Sequence, residues 1–137
     1  MSYGGLMSSK LVREGRFDEA VAAATSEIRL QPDEPDAYFQ RGQARAALGL
    51  LEDAVNDYKQ ALTLDSSGST LDPENVDDEL FFALRSLADS QKADAKAAAA
   101  TIARYAAILP NGRHLEDIAK WVDKFNGVET VWYRDRA

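Results

Sequence analysis

The sequence predicts an all-α protein, an α-α superhelix of three stacked helix-turn-helix repeats closed by a C-terminal helix. Three observations carry that prediction. Gly15-Arg-Phe-Asp-Glu-Ala-Val21 returns as Gly49-Leu-Leu-Glu-Asp-Ala-Val55, a distance of 34 residues, and the match extends to Ile28 with Leu62, Leu30 with Leu64 and Ser8 with Gly42. Self-similarity at this period belongs to a helix pair that cannot bury its apolar face alone and must stack on copies of itself. A third copy follows at a spacing of 44, pairing Ala98 with Ala54, Ile102 with Tyr58, Phe82 with Tyr38 and Ser86 with Gly42. Beyond it, Leu115, Ile118, Val122 and Phe125 follow the spacing of one apolar helix face, and an amphipathic helix there would cover the last open face of the stack.

Taken in order, Leu6 to Glu14 reads as the first helix, with Met7 and Leu11 inward and Gly15 as a C-terminal glycine cap. Phe17 to Leu30 is the second: Phe17, Val21, Ala24 and Ile28 form its apolar stripe, and Asp18-Glu19 suit the positive end of its dipole. Gln31-Pro-Asp-Glu-Pro35 ends it. The third helix runs from Asp36 to Leu48, turns at Gly49, and the fourth returns from Leu51 to Leu64. The spacing of 44 implies a ten-residue enlargement in the turn-rich stretch from Ser66 to Val76. Helices over Val76 to Ser90 and Lys92 to Leu109 make the third pair, the second of them rich in alanine, a strong helix former. A seventh helix spans His114 to Phe125, and the chain ends in a β-branched and aromatic tail.

At 137 residues and 45% hydrophobic, the chain is expected to form one domain, 1–137, with repeats at about 1–34, 35–68 and 79–112 and a capping helix and tail at 113–137. A formal net charge of −7 argues against binding nucleic acid or an anionic membrane, because phosphate binding needs clustered Lys and Arg. Cysteine is absent, which removes disulfides and thiolate metal sites. No apolar run suits a signal peptide or a membrane span, so the expected location is cytoplasmic.

Tyr38, Arg41-Gly42 and Arg45 on one helix, Ala54 and Tyr58 on the next, and a proline twelve residues after the alanine, as Pro32 follows Ala20 and Pro110 follows Ala98, resemble the pattern of the tetratricopeptide repeat family. Gly42, Ala54 and Ala61 would sit where helix axes approach. Arg41 and Arg45 depart from the family's apolar Leu and Tyr, and Arg45 and Asp89 occupy equivalent places in repeats two and three. The resemblance implies a solenoid whose first helices line a groove for peptides. Carried over by position, that groove comprises Ser9, Val12 and Arg13, then Phe39, Gln43 and Ala46, then Leu80, Ala83, Leu87 and Ser90. Where the family's carboxylate-clamping members carry cations, this sequence has Gly5, Ser9, Gln40, Leu80 and Leu84, so a C-terminal carboxylate would find no charge partner.

The chain shows no catalytic constellation. Gly4 to Lys10 lacks the second glycine and the hydroxyl residue of a phosphate loop, and no Gly-x-Ser-x-Gly elbow occurs. The one histidine, His114, is too few for a transition-metal site and reads as an exposed first-turn residue. The acids from Asp65 to Glu79 lack the EF-hand order. We therefore expect no catalytic, cofactor or metal site. The expected function is a non-enzymatic module that binds an extended or helical segment of another protein. Two alternatives stand beside it: a three-repeat secretion-type chaperone for hydrophobic segments, and an acidic metal-responsive domain using the Asp65–Glu79 loop. Leu80, Phe81, Phe82, Ala83, Leu84, Leu87 and Ala88 spread around more of a helix than core packing requires. The tail's Val128, Val131, Trp132 and Tyr133 are an occupant for that surface, either folding back in cis or reaching a second copy to form a homodimer.

Overall fold

Seven helices in chain order account for the regular structure, and a computed structural model describes residues 6–126. They are α1 (Met7–Arg13), α2 (Phe17–Leu30), α3 (Pro35–Ala47), α4 (Leu51–Leu64), α5 (Pro73–Ser90), α6 (Ala95–Ile108) and α7 (Leu115–Asn126). No strand occurs among the described residues. The all-α repeat architecture expected from the 34-residue period is therefore the one found. The chain divides into two compact units, one up to Glu79 and one from Leu80 onward, with the division falling inside α5.

In the first unit the glycines of the copied heptamer both end a helix. Gly15 and Gly49 have φ of +76° and +84°, the left-handed region that costs glycine nothing and other residues strain. In each case the following residue donates its N–H five residues back, Arg16 to Leu11 at 2.9 Å and Leu50 to Arg45 at 2.8 Å. That satisfies helix-end carbonyls in the Schellman manner and reverses the chain within three residues. With both turns built alike, α1 packs on α2, α2 on α3, and α3 on α4. The contacts are made by small side chains: Ala20, Ala24, Ala37, Ala44, Ala54 and Ala61 are fully buried. Gly42 is required by its neighbour, since a Cβ there would lie 2.6 Å from Cε1 of Tyr58.

Helix starts after a proline follow one rule. Glu34 and Asp72 are the residues before Pro35 and Pro73, and each side chain accepts an N–H of the first turn, from Asp36 at 3.2 Å and from Glu74 at 3.1 Å. Proline at the first helical position is preorganised and lacks only an N–H that would have no helical partner. This is why α5 begins at Pro73, three residues before the Val76 that periodicity suggested. The enlarged connection before it is tied down by Asp65, whose carboxylate accepts N–H bonds from Thr70 at 3.1 Å and Leu71 at 2.8 Å. Those bonds, the one from Leu71 foremost, hold the Asp65 carboxyl below the ordinary aspartate range.

The second unit is closed by aromatic packing. Phe81 of α5 meets the ring of Tyr105 on α6 edge-on at 5.8 Å, and α6 packs on α7. The turn between α5 and α6 has no glycine; Asp94 caps α6 by accepting the N–H of Ala97 at 3.1 Å. Helix α6 thus starts at Ala95, later than the Lys92 expected, because residues 91–94 form the turn that residues 48–50 form around Gly49 in repeat two. In α7, Ile118 and Ala119 are buried, in keeping with its one-sided apolar pattern, and Trp121 lies beneath the cations of Lys124 (4.9 Å) and Arg85 (5.6 Å).

Candidate functional site: the face of α1 and α3

Helices α1 and α3 pack side by side in the first unit, and the residues expected to line a groove there fall on them. Val12 is half-buried against the Leu11, Ala20 and Ala44 cluster. Arg13 is exposed, and its guanidinium donates to the Ser9 hydroxyl at 2.8 Å. On α3, Gln43 and Ala46 are half-buried, and the Gln43 amide donates to the Glu79 carboxylate at 3.4 Å. Phe39 is only 4% exposed; its ring lies against Tyr58 at 5.7 Å, so it supports the α3 face from within. In the second unit Leu80 and Ala83 are also buried, whereas Leu87 is half-buried and Phe82 exposes about half its surface (49%). Trp132 and Tyr133, and with them the cis and trans arrangements of the tail, lie outside the described residues.

The accessible part of α3 is polar. Asp36, Gln40 and Gln43 follow one another at i, i+4 and i+7, which places them on one helix face. The Gln40 amide donates to Asp36 at 3.0 Å. Two carboxylates, Asp36 and Glu79, thus each hold an amide of α3, and all four side chains are half-buried.

Behind this face lies the contact that sequence reasoning missed. Arg41 grips Asp57 of α4 with two bonds, at 3.0 and 2.8 Å, and Arg45 adds a third at 2.8 Å. Arg41 also donates to Thr25 of α2 at 3.3 Å and lies over the Tyr38 ring. The Asp57 side chain is 5% exposed, the two arginines 16% and 24%. A buried carboxylate is tolerated only when its charge and lone pairs are met, and these two guanidiniums meet them. The Arg45 guanidinium is taken by Asp57 within its own repeat. The signal was present in the 34-residue alignment: the places of Arg41, Arg45 and Asp57 hold Met7, Leu11 and Ala23 in repeat one, so three charges replace three apolar residues together.

Tyr58, next to Asp57, is fully buried, and its hydroxyl has no hydrogen-bond partner among the described residues. Burial, with Glu79 and Asp57 adding negative charge nearby, drives its ionisation far above the ordinary tyrosine value, so it is a neutral phenol at any physiological pH.

His114 is the other correction. It is 15% exposed at the side chain and stacks flat on Phe81, centroids 4.0 Å apart and planes 2° apart. Its backbone N–H donates to the Tyr105 hydroxyl at 2.9 Å. It is an aromatic core member ahead of α7, which a lone histidine at a helix start does not announce.

A family model for the tetratricopeptide repeat matches residues 7–69. Over that stretch, a little under half of the chain, the sequence is similar to the tetratricopeptide repeat family. The DnaJ homolog subfamily C member 7 homolog of Dictyostelium discoideum is 35% identical to it over 68 residues, which make up 50% of this chain and 11% of that protein. The chain thus spans about a tenth of the length of that curated relative. Among solved structures, the TPR2B domain of yeast Sti1, in a complex with pHsp70, superposes with a TM-score of 0.53 at 19% identity, covering 88% of this chain and 90% of that one. This is a likeness of fold. The tetratricopeptide repeats matched in this chain are repeats one and two, and α5 with α6 supply a helix pair where the spacing of 44 placed a third.

Proposed function

We propose that this chain is a non-enzymatic protein-protein interaction module that holds an extended or helical segment of a partner protein along the face formed by α1 and α3. The observation that carries it is the accessible line of Ser9, Val12, Gln43 and Ala46 on two adjacent first helices of a tetratricopeptide repeat array, backed by a buried layer of Phe39 and Tyr58. A rigid helical face with mixed apolar and hydrogen-bonding groups suits peptide recognition by side-chain pockets. The curated relative carries the word DnaJ in its name and the Sti1 domain was solved with pHsp70, which fits work alongside chaperones. Gln40 and Ser9 at the clamp positions make a free C-terminal carboxylate a poor anchor here. Among the described residues no helix is long and apolar enough to cross a membrane, and we assign the module to the cytoplasm as part of the same proposal.

The secretion-chaperone alternative draws support from Phe82, exposed on α5, as a contact for hydrophobic segments. Selection from a random-peptide display library tests the main reading. Enriched peptides should lose binding to the Ala46→Arg variant, which fills the face, and keep it to Lys59→Ala on α4. Enrichment that ignores Ala46→Arg would place recognition elsewhere.

A further inference from the structure

We propose that the partner segment taken by the α1 and α3 face is cationic, with two Lys or Arg side chains that meet Asp36 and Glu79. This rests on the reading of that face as a peptide site and names the chemistry of its occupant.

Charge is divided unevenly along the chain. Residues 1–79 hold sixteen Asp and Glu against seven Lys and Arg, a formal −9, whereas residues 80–137 hold seven against nine, a formal +2. Of the seven cations in the first unit, Arg41 and Arg45 are spent on buried Asp57, and Arg16 is bonded to Glu14 and Glu19. The first unit therefore carries the chain's excess of negative charge, and its field draws basic segments toward it.

The second observation is local and lies on the face itself. Asp36, Gln40, Gln43 and Glu79 form a half-buried strip in which both glutamine amides point their donors at carboxylates. An ionised carboxylate has about four acceptor positions, so one amide leaves most of each unused. The Gln43 bond to Glu79 is long at 3.4 Å and is readily yielded to a charged donor. Lys10 and Arg13 are the cations of α1, Arg13 engaged with Ser9, which confines the acidic strip to the α3 side and gives the segment a preferred line. Seven residues of helix, from Asp36 to Gln43, rise about 10 Å. Matching cations come from positions seven apart in a partner helix, which share one face at a similar separation.

The experiment uses two fluorescein-labelled amphipathic peptides, identical except for Lys or Glu at two positions seven apart. Binding to the full chain is followed by fluorescence anisotropy at low and at physiological salt. The Lys peptide is expected to bind at least tenfold more tightly and to weaken as salt rises. The neutralised double variant D36N/E79Q, its fold checked by circular dichroism, should bring the two peptides within twofold of each other. The matched variant D18N/E19Q, which removes the same charge from the first turn of α2, should leave the preference standing. Equal binding of the two peptides, tighter binding of the Glu peptide, or an equal loss in D18N/E19Q would overturn the cationic strip while leaving the peptide face intact. Binding of neither peptide would count against the peptide face itself, and this inference falls with it.

Discussion

In the first unit Tyr58 is laid across Gly42 with its hydroxyl buried and without a hydrogen-bond partner among the described residues. In the second, Tyr105 lies against Gly112, and its hydroxyl accepts the N–H of His114. Both sites use a glycine to let a tyrosine approach, yet their surroundings differ. Around Tyr58 helices α2, α3 and α4 are joined by the Arg41, Arg45 and Asp57 ion cluster; around Tyr105 the neighbours are the rings of Phe81 and His114. The difference shows how one repeat pattern is held by two chemistries. Where the pattern keeps apolar residues, packing suffices. Where repeat two exchanges three of them for charges, the exchange must be complete, because any one charge left alone in that position is costly.

The largest expected effect breaks that completeness. Asp57→Ala leaves two partly buried guanidiniums without their counterion, and urea titration should show a loss of about 3–5 kcal/mol. The triple change Arg41→Met, Arg45→Leu and Asp57→Ala writes repeat one's residues into repeat two, and it should recover most or all of that loss. A triple variant as unstable as Asp57→Ala would mean the cluster contributes more than mutual neutralisation.

Next in size are the glycine contacts. Gly42→Ala should cost about 1–3 kcal/mol through overpacking against the Tyr58 ring, and Ala54→Leu, at a fully buried helix contact, a similar amount. Thermal melts check both, and wild-type melting of either would remove that residue from the close approach.

A smaller effect sharpens the comparison of the tyrosines. Tyr105→Phe deletes a bonded acceptor and leaves the His114 N–H without it, so it should destabilise by about 1 kcal/mol. Tyr58→Phe deletes a hydroxyl that has no described partner and should be neutral or slightly stabilising. Paired denaturation curves decide the order.

The smallest effect concerns the enlarged connection. The folded-state pKa of Asp65 is lowered by backbone N–H bonds, so its stabilisation is present above the ordinary aspartate value of about 4 and fades as pH falls through the lowered value. The stability gap between wild type and Asp65→Asn should be largest near neutrality and close in acid. A gap that does not change with pH would show that the carboxylate's charge is not what holds the loop.

The sequence made α2 and α4 legible to the residue, because a left-handed glycine fixes the start of each and an amphipathic stripe carries it through. It also placed all seven helices. It misjudged the starts of α5 and α6 for local reasons: Asp72-Pro73 is a cap and first helical residue within a stretch that otherwise resembles turn, and Asp94 caps a helix whose preceding residues look equally helical. At the candidate site, position within the repeat located Val12, Arg13, Gln43 and Ala46 on α1 and α3 but did not foresee that Phe39, Leu80 and Ala83 are buried, since burial depends on what a neighbouring helix presents. Asp57 escaped notice because its counterions lie twelve and sixteen residues away and only alignment of the repeats brings the three together. His114 escaped because stacking on Phe81 leaves no spacing in sequence.

One measurement tests the central claim most directly. Amide chemical shifts of the isotope-labelled chain are followed as a library-selected peptide is added. The account predicts that the largest perturbations fall on α1 and α3, at Ser9, Val12, Gln43 and Ala46, together with Glu79 at the end of the strip. Perturbations confined to α2, α4 or the second unit, with α1 and α3 unmoved at saturation, would contradict it.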